Sequence, residues 1–236
     1  MSTLRSSAIP VTDPSAGLRI TEIFYSLQGE ANTLGLPTVF IRLTGCPLRC
    51  TYCDTTYSFE GGERQSLDEI IQTTLDFKTP YVCVTGGEPL AQPNAIPLMQ
   101  KLADLGCEVS LETSCALDVS KVDPRVSKVL DLKTPTSGEE KRNLMSNLEH
   151  LTQHDQIKFV ICNREDYEWS KLQVEQYKLN EKVSTVWFSP AFAIEKGAVR
   201  LPQLARDLAQ WILEDHIPVR FQLQLHKLLW NDETGR

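Results

Sequence analysis

GCPLRCTYCDT, residues 45–55, places Cys46, Cys50 and Cys53 on one short stretch. Thiolates are soft donors that select zinc, copper(I) or iron–sulfur clusters. Structural zinc asks for four protein ligands, so Cys83, Cys107, Cys115, Cys162 or a histidine would have to complete the set from afar. Cys83 and Cys107 lie in or beside strand-like runs, and Cys115 and Cys162 near strand ends, so all four read first as small core residues. A 4Fe–4S cluster usually draws one cysteine per iron. Three cysteines leave one iron open to a small molecule, which serves a catalyst and is of no use to an electron carrier.

Such a loop needs elements to aim it. Strand-like and helix-like segments alternate along the chain: 18–27 and 38–45 read as extended, with Val39, Ile41 and Leu43 on one face and Phe40 and Arg42 on the other. Ser66 and Glu69 form a capping box ahead of a helix over 66–77. Strands follow at 81–85, 107–113, 127–133, 156–162, 185–190 and 219–225, with helices at 95–105, 139–149, 164–179 and 201–215 between them. This order predicts an α/β fold of parallel β/α units, a partial (incomplete) β/α barrel with about six parallel strands. Chemistry in such folds sits beyond the carboxyl ends of the strands, where both the cysteine loop and TGGEP (85–89) fall.

Composition narrows the class. The 236 residues carry 24 Lys and Arg against 31 Asp and Glu, a net charge of −7, which argues against a general nucleic-acid or membrane-surface binder. No run approaches the roughly 18 apolar residues of a membrane span. Residues 1–17 are rich in Ser and Pro and read as a disordered tail, leaving 18–236 as a single domain. A cytoplasmic, reducing setting is expected, in which a close cysteine cluster points to metal or catalysis rather than disulfides.

With an aromatic residue, Tyr52, before its last cysteine, C-x-x-x-C-x-aromatic-C resembles the signature of radical S-adenosylmethionine (SAM) enzymes. The resemblance implies a radical SAM type of partial barrel, in which the open iron of a 4Fe–4S cluster chelates SAM. One electron then cleaves SAM to methionine and a 5′-deoxyadenosyl radical. TGGEP resembles the glycine–glycine–glutamate motif of the same superfamily, although a bare Gly-Gly pair is more often only a turn.

EIFYSLQGE (22–30), PTVFIRLTGCPLRCTYCDT (37–55), TGGEPL (85–90), LETS (111–114) and QLHKLLW (224–230) are similar, in order, to the 7-carboxy-7-deazaguanine synthases. That family implies ring contraction of 6-carboxy-5,6,7,8-tetrahydropterin to 7-carboxy-7-deazaguanine with loss of ammonia, in queuosine and related deazapurine biosynthesis. It also implies Mg²⁺, an electron donor such as flavodoxin or ferredoxin, and a homodimer. Matched residue by residue, Leu27, Gln28, Gly29, Arg42, Thr85 and His226 fall to the substrate. Tyr52, Cys53, Asp54, Gly87, Asp131 and Lys133 fall to SAM, and Thr55 to magnesium, which prefers hard oxygen ligands. From the residues alone, Arg42 is either an interior-facing anion ligand or solvent-facing, and Thr55 could equally cap a turn. Glu112 and Thr113 are placed only near the site.

The chain departs from the family in four places, the first being 56–65, TYSFEGGERQ, which is short for the usual helix after the cluster and implies a trimmed helix or a loop. Asp131-Leu132-Lys133 stands where Ser-Pro-Lys is common, Cys115 where glycine is frequent, and LLWNDETGR follows the His226-Lys227 pair. Two other readings stay open: a glycyl-radical-enzyme activase, and a non-catalytic metal-binding or electron-transfer module.

Overall fold

The structure, a computed structural model, describes residues 17–191, 203–230 and 233–235. Residues 1–16 of the expected tail lie outside the described residues, and Gly17 already opens the first strand. In chain order the elements are β1 (Gly17–Leu27), β2 (Pro37–Leu43), β3 (Glu63–Ser66), α1 (Leu67–Asp76), β4 (Tyr81–Gly86), α2 (Ala95–Asp104) and β5 (Glu108–Thr113). They continue with β6 (Ser127–Asp131), β7 (Gln156–Ile161), α3 (Arg164–Gln176), α4 (Leu179–Lys182), β8 (Thr185–Pro190), α5 (Gln203–Glu214), β9 (Arg220–Phe221) and α6 (Leu225–Trp230).

One sheet runs β3-β1-β2-β4-β5-β6-β7-β8-β9. β2 and β4 through β9 pair in parallel, and β1 joins β2 and β3 antiparallel. The described strands do not close on themselves, so the architecture is a partial barrel with seven parallel strands, one of them only two residues long. Period-two alternation divides the sheet faces. Ile41, Leu43, Val82, Val84, Leu111, Leu130, Ile157, Phe159 and Phe188 pack outward beneath the helices, in one core with Ile70, Leu98, Met99 and Tyr167, and Val39 is buried on the same face of β2. Phe40, Arg42, Cys83, Thr85, Glu112, Asp131, Lys158 and Ser189 share the other face and line one cavity. The outer face therefore carries the hydrophobic stabilisation, which leaves the inner face free to hold charge.

Local signals explain most boundaries. Ser66 and Glu69 exchange the two capping-box bonds, Ser66 N to Glu69 Oε2 at 2.8 Å and Glu69 N to Ser66 Oγ at 3.3 Å. The helix expected over 139–149 is absent; the stretch makes 3-10 turns at Glu140–Arg142 and Met145–His150. Its asparagines bond elsewhere. Asn143 pairs with both backbone groups of Lys133, and Asn147 reaches Val119 N and the carbonyls of Cys115 and Leu117. Side-chain bonds of this kind offer the backbone an alternative to helix. The expected strand over 219–225 shrinks to β9, and Leu225 starts α6. α3 stops at Gln176, short of 179, with Lys178 in the left-handed region at φ 51°. Among the described residues no helix is long and apolar enough to cross a membrane.

Candidate active site

The rim of the cavity is built by the cysteine loop. Gly45, at φ 96°, turns the chain out of β2 and donates its N–H to Ser58 O at 2.8 Å. Leu48 is buried beneath the loop, while Arg49 donates to the Cys46 and Leu48 carbonyls, 2.7 Å each, and lies over the Phe59 ring at 4.3 Å. Thr51 ties the loop to the Pro135–Ser137 turn through Ser137 O (3.1 Å) and Thr136 O (2.7 Å). Cys46, Cys50 and Cys53 are free and half-buried. Burial pushes the Cys46 thiol up and Cys50 to about 11, so thiolates here require a cationic partner such as iron. Among the described residues no three His, Cys, Asp or Glu side chains converge as they would on a single ion. A cube taking one thiolate per iron needs no such convergence.

Gly86 and Gly87 press against this loop. A Cβ on Gly87 would strike Gly45 O and approach Cys46 Cβ to 2.8 Å, so only glycine lets the β4 turn lie this close. Glu88 N bonds Gly45 O at 2.8 Å. The buried Glu88 carboxylate is used entirely within the protein, accepting from Leu90 N (3.0 Å), Thr113 Oγ1 (2.8 Å), Ser114 N (2.8 Å) and Ser114 Oγ (2.5 Å). It fastens the β4 turn to the end of β5. Cys115, just beyond, sits at φ 59°, a left-handed conformation that suits the glycine common there.

Deeper in, charged groups come in pairs. Lys133 Nζ meets Asp131 Oδ2 at 2.9 Å and lies 5.8 Å from the centre of the Tyr52 ring. Thr55 Oγ1 donates to Asp54 Oδ1 at 2.8 Å, and Lys227 Nζ meets Asp54 Oδ2 at 2.9 Å. Burial pulls the Asp54 carboxyl upward, but the adjacent Lys227 ammonium outweighs it and holds the group well below the usual carboxylate range.

The floor lies at the opposite end of the sheet, where residues 28–36 connect β1 to β2. Gln28 is buried, and its Nε2 has no hydrogen-bond partner. Gly29 abuts α6: a Cβ there would strike His226 Nδ1, and Gly29 O accepts from Leu225 N at 3.0 Å. Arg42 Nε is held by Glu22 Oε1 at 2.7 Å, which also accepts from Tyr57 OH at 2.8 Å. That leaves the terminal guanidinium nitrogens available, flanked by the Phe24 and Tyr57 rings.

Every residue matched above to cluster, SAM, magnesium or substrate lines this one cavity of about 290 Å³. Among the further residues that line it, four polar ones were given no role by the sequence: Glu30, Lys158, Ser189 and Gln224. Lys158 left one legible sign, a lysine inside the otherwise apolar run IKFVI. Ser189 Oγ and Asp131 Oδ1, like Gln28 Nε2, are buried without a hydrogen-bond partner. Orphaned polar atoms at both ends, with three thiols at the rim, fit a polar ligand reaching from cluster to floor.

Known proteins show the same combination. Residues 40–134 match the family model described as the Radical SAM superfamily. The chain is 44% identical over 223 residues to 7-carboxy-7-deazaguanine synthase of Koribacter versatilis, covering 92% of this chain and 99% of that one. It is 42% identical over 222 residues to the enzyme of the same name from Chlorobaculum tepidum, with 93% and 97% covered. The solved structure of QueE from Escherichia coli superposes with a TM-score of 0.71 over 89% of this chain and 95% of that one; at 23% identity this speaks for the fold.

Proposed function

The chain belongs to the 7-carboxy-7-deazaguanine synthases of the radical SAM superfamily, and on that premise we propose that its cavity converts 6-carboxy-5,6,7,8-tetrahydropterin to 7-carboxy-7-deazaguanine with loss of ammonia. Relatives this similar along nearly their whole length displace the activase and metal-module readings. When bound, a 4Fe–4S cluster with SAM supplies the adenosyl radical that takes and returns a hydrogen at pterin C6. The protein's own residues do the rest.

Cys46, Cys50 and Cys53 would hold three irons, and Gly87, which lets the β4 turn lie against the cysteine loop, would stand beside SAM. Tyr52, Asp54, Asp131 and Lys133 would bind SAM, the Asp131–Lys133 pair offering both signs of charge to its amino-acid end. At the floor, Gln28 would meet the pterin edge through its unpartnered amide, with Leu27, Gly29 and His226 around the ring system and Thr85 reaching it from the end of β4. Arg42, oriented by Glu22, would take the substrate carboxylate in its fork. Thr55 offers magnesium a hard oxygen, completed by water and substrate groups. An external one-electron donor and a homodimer belong to the same proposal.

The observation that carries this reading is that cluster loop and pterin motif, at opposite ends of the sheet, open onto one cavity. Anaerobically reconstituted protein given 6-carboxytetrahydropterin, Mg²⁺, SAM and a reductant should form the deazaguanine only when pterin is present. Cys53→Ala should abolish it. Reduced enzyme that cleaves no SAM, or cleaves it and leaves the pterin intact, would sink the assignment.

A further inference from the structure

Lys158 has no part in the steps above. It projects from β7 into the cavity, buried, among carboxylates from three other places in the chain: Glu30 Oε2 at 2.7 Å, Glu112 Oε2 at 3.7 Å and Asp131 Oδ2 at 4.0 Å. The three contacts are unequal. Glu30 also accepts from Gln224 Nε2 at 2.8 Å, and Asp131 has Lys133 at 2.9 Å. Glu112 has only the longer contact to Lys158 for an ion pair among the described residues. Two lysines thus face three largely buried carboxylates, where an uncompensated anion is costly.

We propose that Lys158 is a positioning residue that divides charge between Glu30 and Glu112, keeping Glu30 an anion and leaving Glu112 a carboxylic acid, so that the pterin meets a pure acceptor beside a group that can donate. This rests on the substrate reading above. A carboxylate only accepts, whereas a protonated carboxyl also gives one hydrogen bond. A pyrimidinone edge carries N–H donors beside a carbonyl acceptor and needs one partner of each kind.

The electrostatics point the same way. Burial raises Glu112 to about 7 against the pull of Lys158, with Glu30 and Asp131 adding to the rise. Burial also works upward on Glu30, but Lys158 and His226 outweigh it and the group is lowered. The other charged or titratable groups around this cluster include Arg42 on β2, Cys83 on β4, Tyr52 and Tyr57 after β2, Lys133 after β6, Glu233, and the Asp54–Lys227 pair with His226 at α6. His226 is itself lowered, chiefly by burial, so the test must separate its titration from that of Glu112.

The experiment is equilibrium binding of 6-carboxytetrahydropterin to holoenzyme carrying cluster and SAM, without reductant and under anaerobic conditions. The pH would run from about 5.5 to about 9, across the Glu112 titration. In wild type, Kd should be flat at low pH and weaken about tenfold per unit above about 7, as one proton is lost. In Glu112→Gln that limb should vanish, whatever His226 does. In Lys158→Met the limb should move up by about one unit or more, because the ammonium that lowers Glu112 is gone, and low-pH binding should weaken about tenfold as Glu30 loses its charge. Lys158→Arg should bring the limb back. Pterin binding should also suffer far more in Lys158→Met than pterin-independent SAM cleavage does, since Lys133 still pairs with Asp131.

A limb unmoved in Lys158→Met, or surviving in Glu112→Gln, overturns the proposal, as does an equal loss of binding and SAM cleavage. Wild type that binds no pterin at any pH overturns the substrate reading itself, and this proposal with it.

Discussion

Glu88 stands in a motif associated with SAM, yet both its oxygens are committed to Leu90, Thr113 and Ser114. Its influence on the cofactor runs through the position of the β4 turn. Glu88→Gln turns an amide N–H₂ toward buried donors, and the unsatisfied groups should cost about 2–4 kcal/mol. Thermal unfolding should register this as a Tm lowered by about 5–15 °C. Glu112 predicts an effect of a different kind. Its folded pKa lies above the ordinary carboxylate value, so protonation favours the fold. Stability of the cofactor-free protein should be greatest below that ordinary value and fall as pH rises through about 7, by on the order of 2–3 kcal/mol. Denaturant unfolding at about pH 5 and about pH 8 checks the slope, which should flatten in Glu112→Gln; an unchanged slope would mean that Glu112 is ionised in the empty cavity.

Among the elements, α6 is the most exposed to a small change. It begins where Gly29 leaves no room for a Cβ, and it presents His226 and Lys227 to the site. Gly29→Ala should displace both and cost roughly 10–100-fold in kcat/KM for the pterin, as small misplacements at reacting centres do. SAM cleavage without pterin should suffer less. Equal losses in the two assays would show that α6 serves the whole cavity rather than its floor. Elements written in local pattern were legible in the sequence: the Ser66–Glu69 cap, the alternation of Val39, Ile41 and Leu43 against Phe40 and Arg42, and the glycine stops. Elements decided by distant bonds were not. The 139–149 stretch has helix-forming residues, but Asn143 and Asn147 bind Lys133, Cys115, Leu117 and Val119, and no local signal records that. The same holds within the cavity. Motif resemblance pointed to residues that line the cavity, while Lys158 and Ser189, which lie outside any motif, emerged only from which face of the sheet they share, and Gln224 opens the QLHKLLW match with no role assigned to it there.

At the scale of the molecule, the sheet puts its apolar side under helices and its charged side around one space, so stability and chemistry are kept on opposite faces. The connection after β1 bonds across to the far side of the sheet: Ala31 N to Gln222 Oε1 at 3.1 Å, Asn32 N to Gln156 Oε1 on β7 at 2.8 Å, and Leu225 N to Gly29 O. Gln222→Ala removes one of them and leaves Ala31 N unpaired, which should cost about 1–3 kcal/mol. Hydrogen exchange should then quicken at Ala31 and its neighbours before it does in β4 or β5; uniform protection would refute the view that this crossing is a weak line. The girth of the ring is thus held by a clasp of side-chain amides, single main-chain bonds and the Asp54–Lys227 ion pair, not by another woven strand. A clasp opens one finger at a time, so the wall of the cavity should give first along this line.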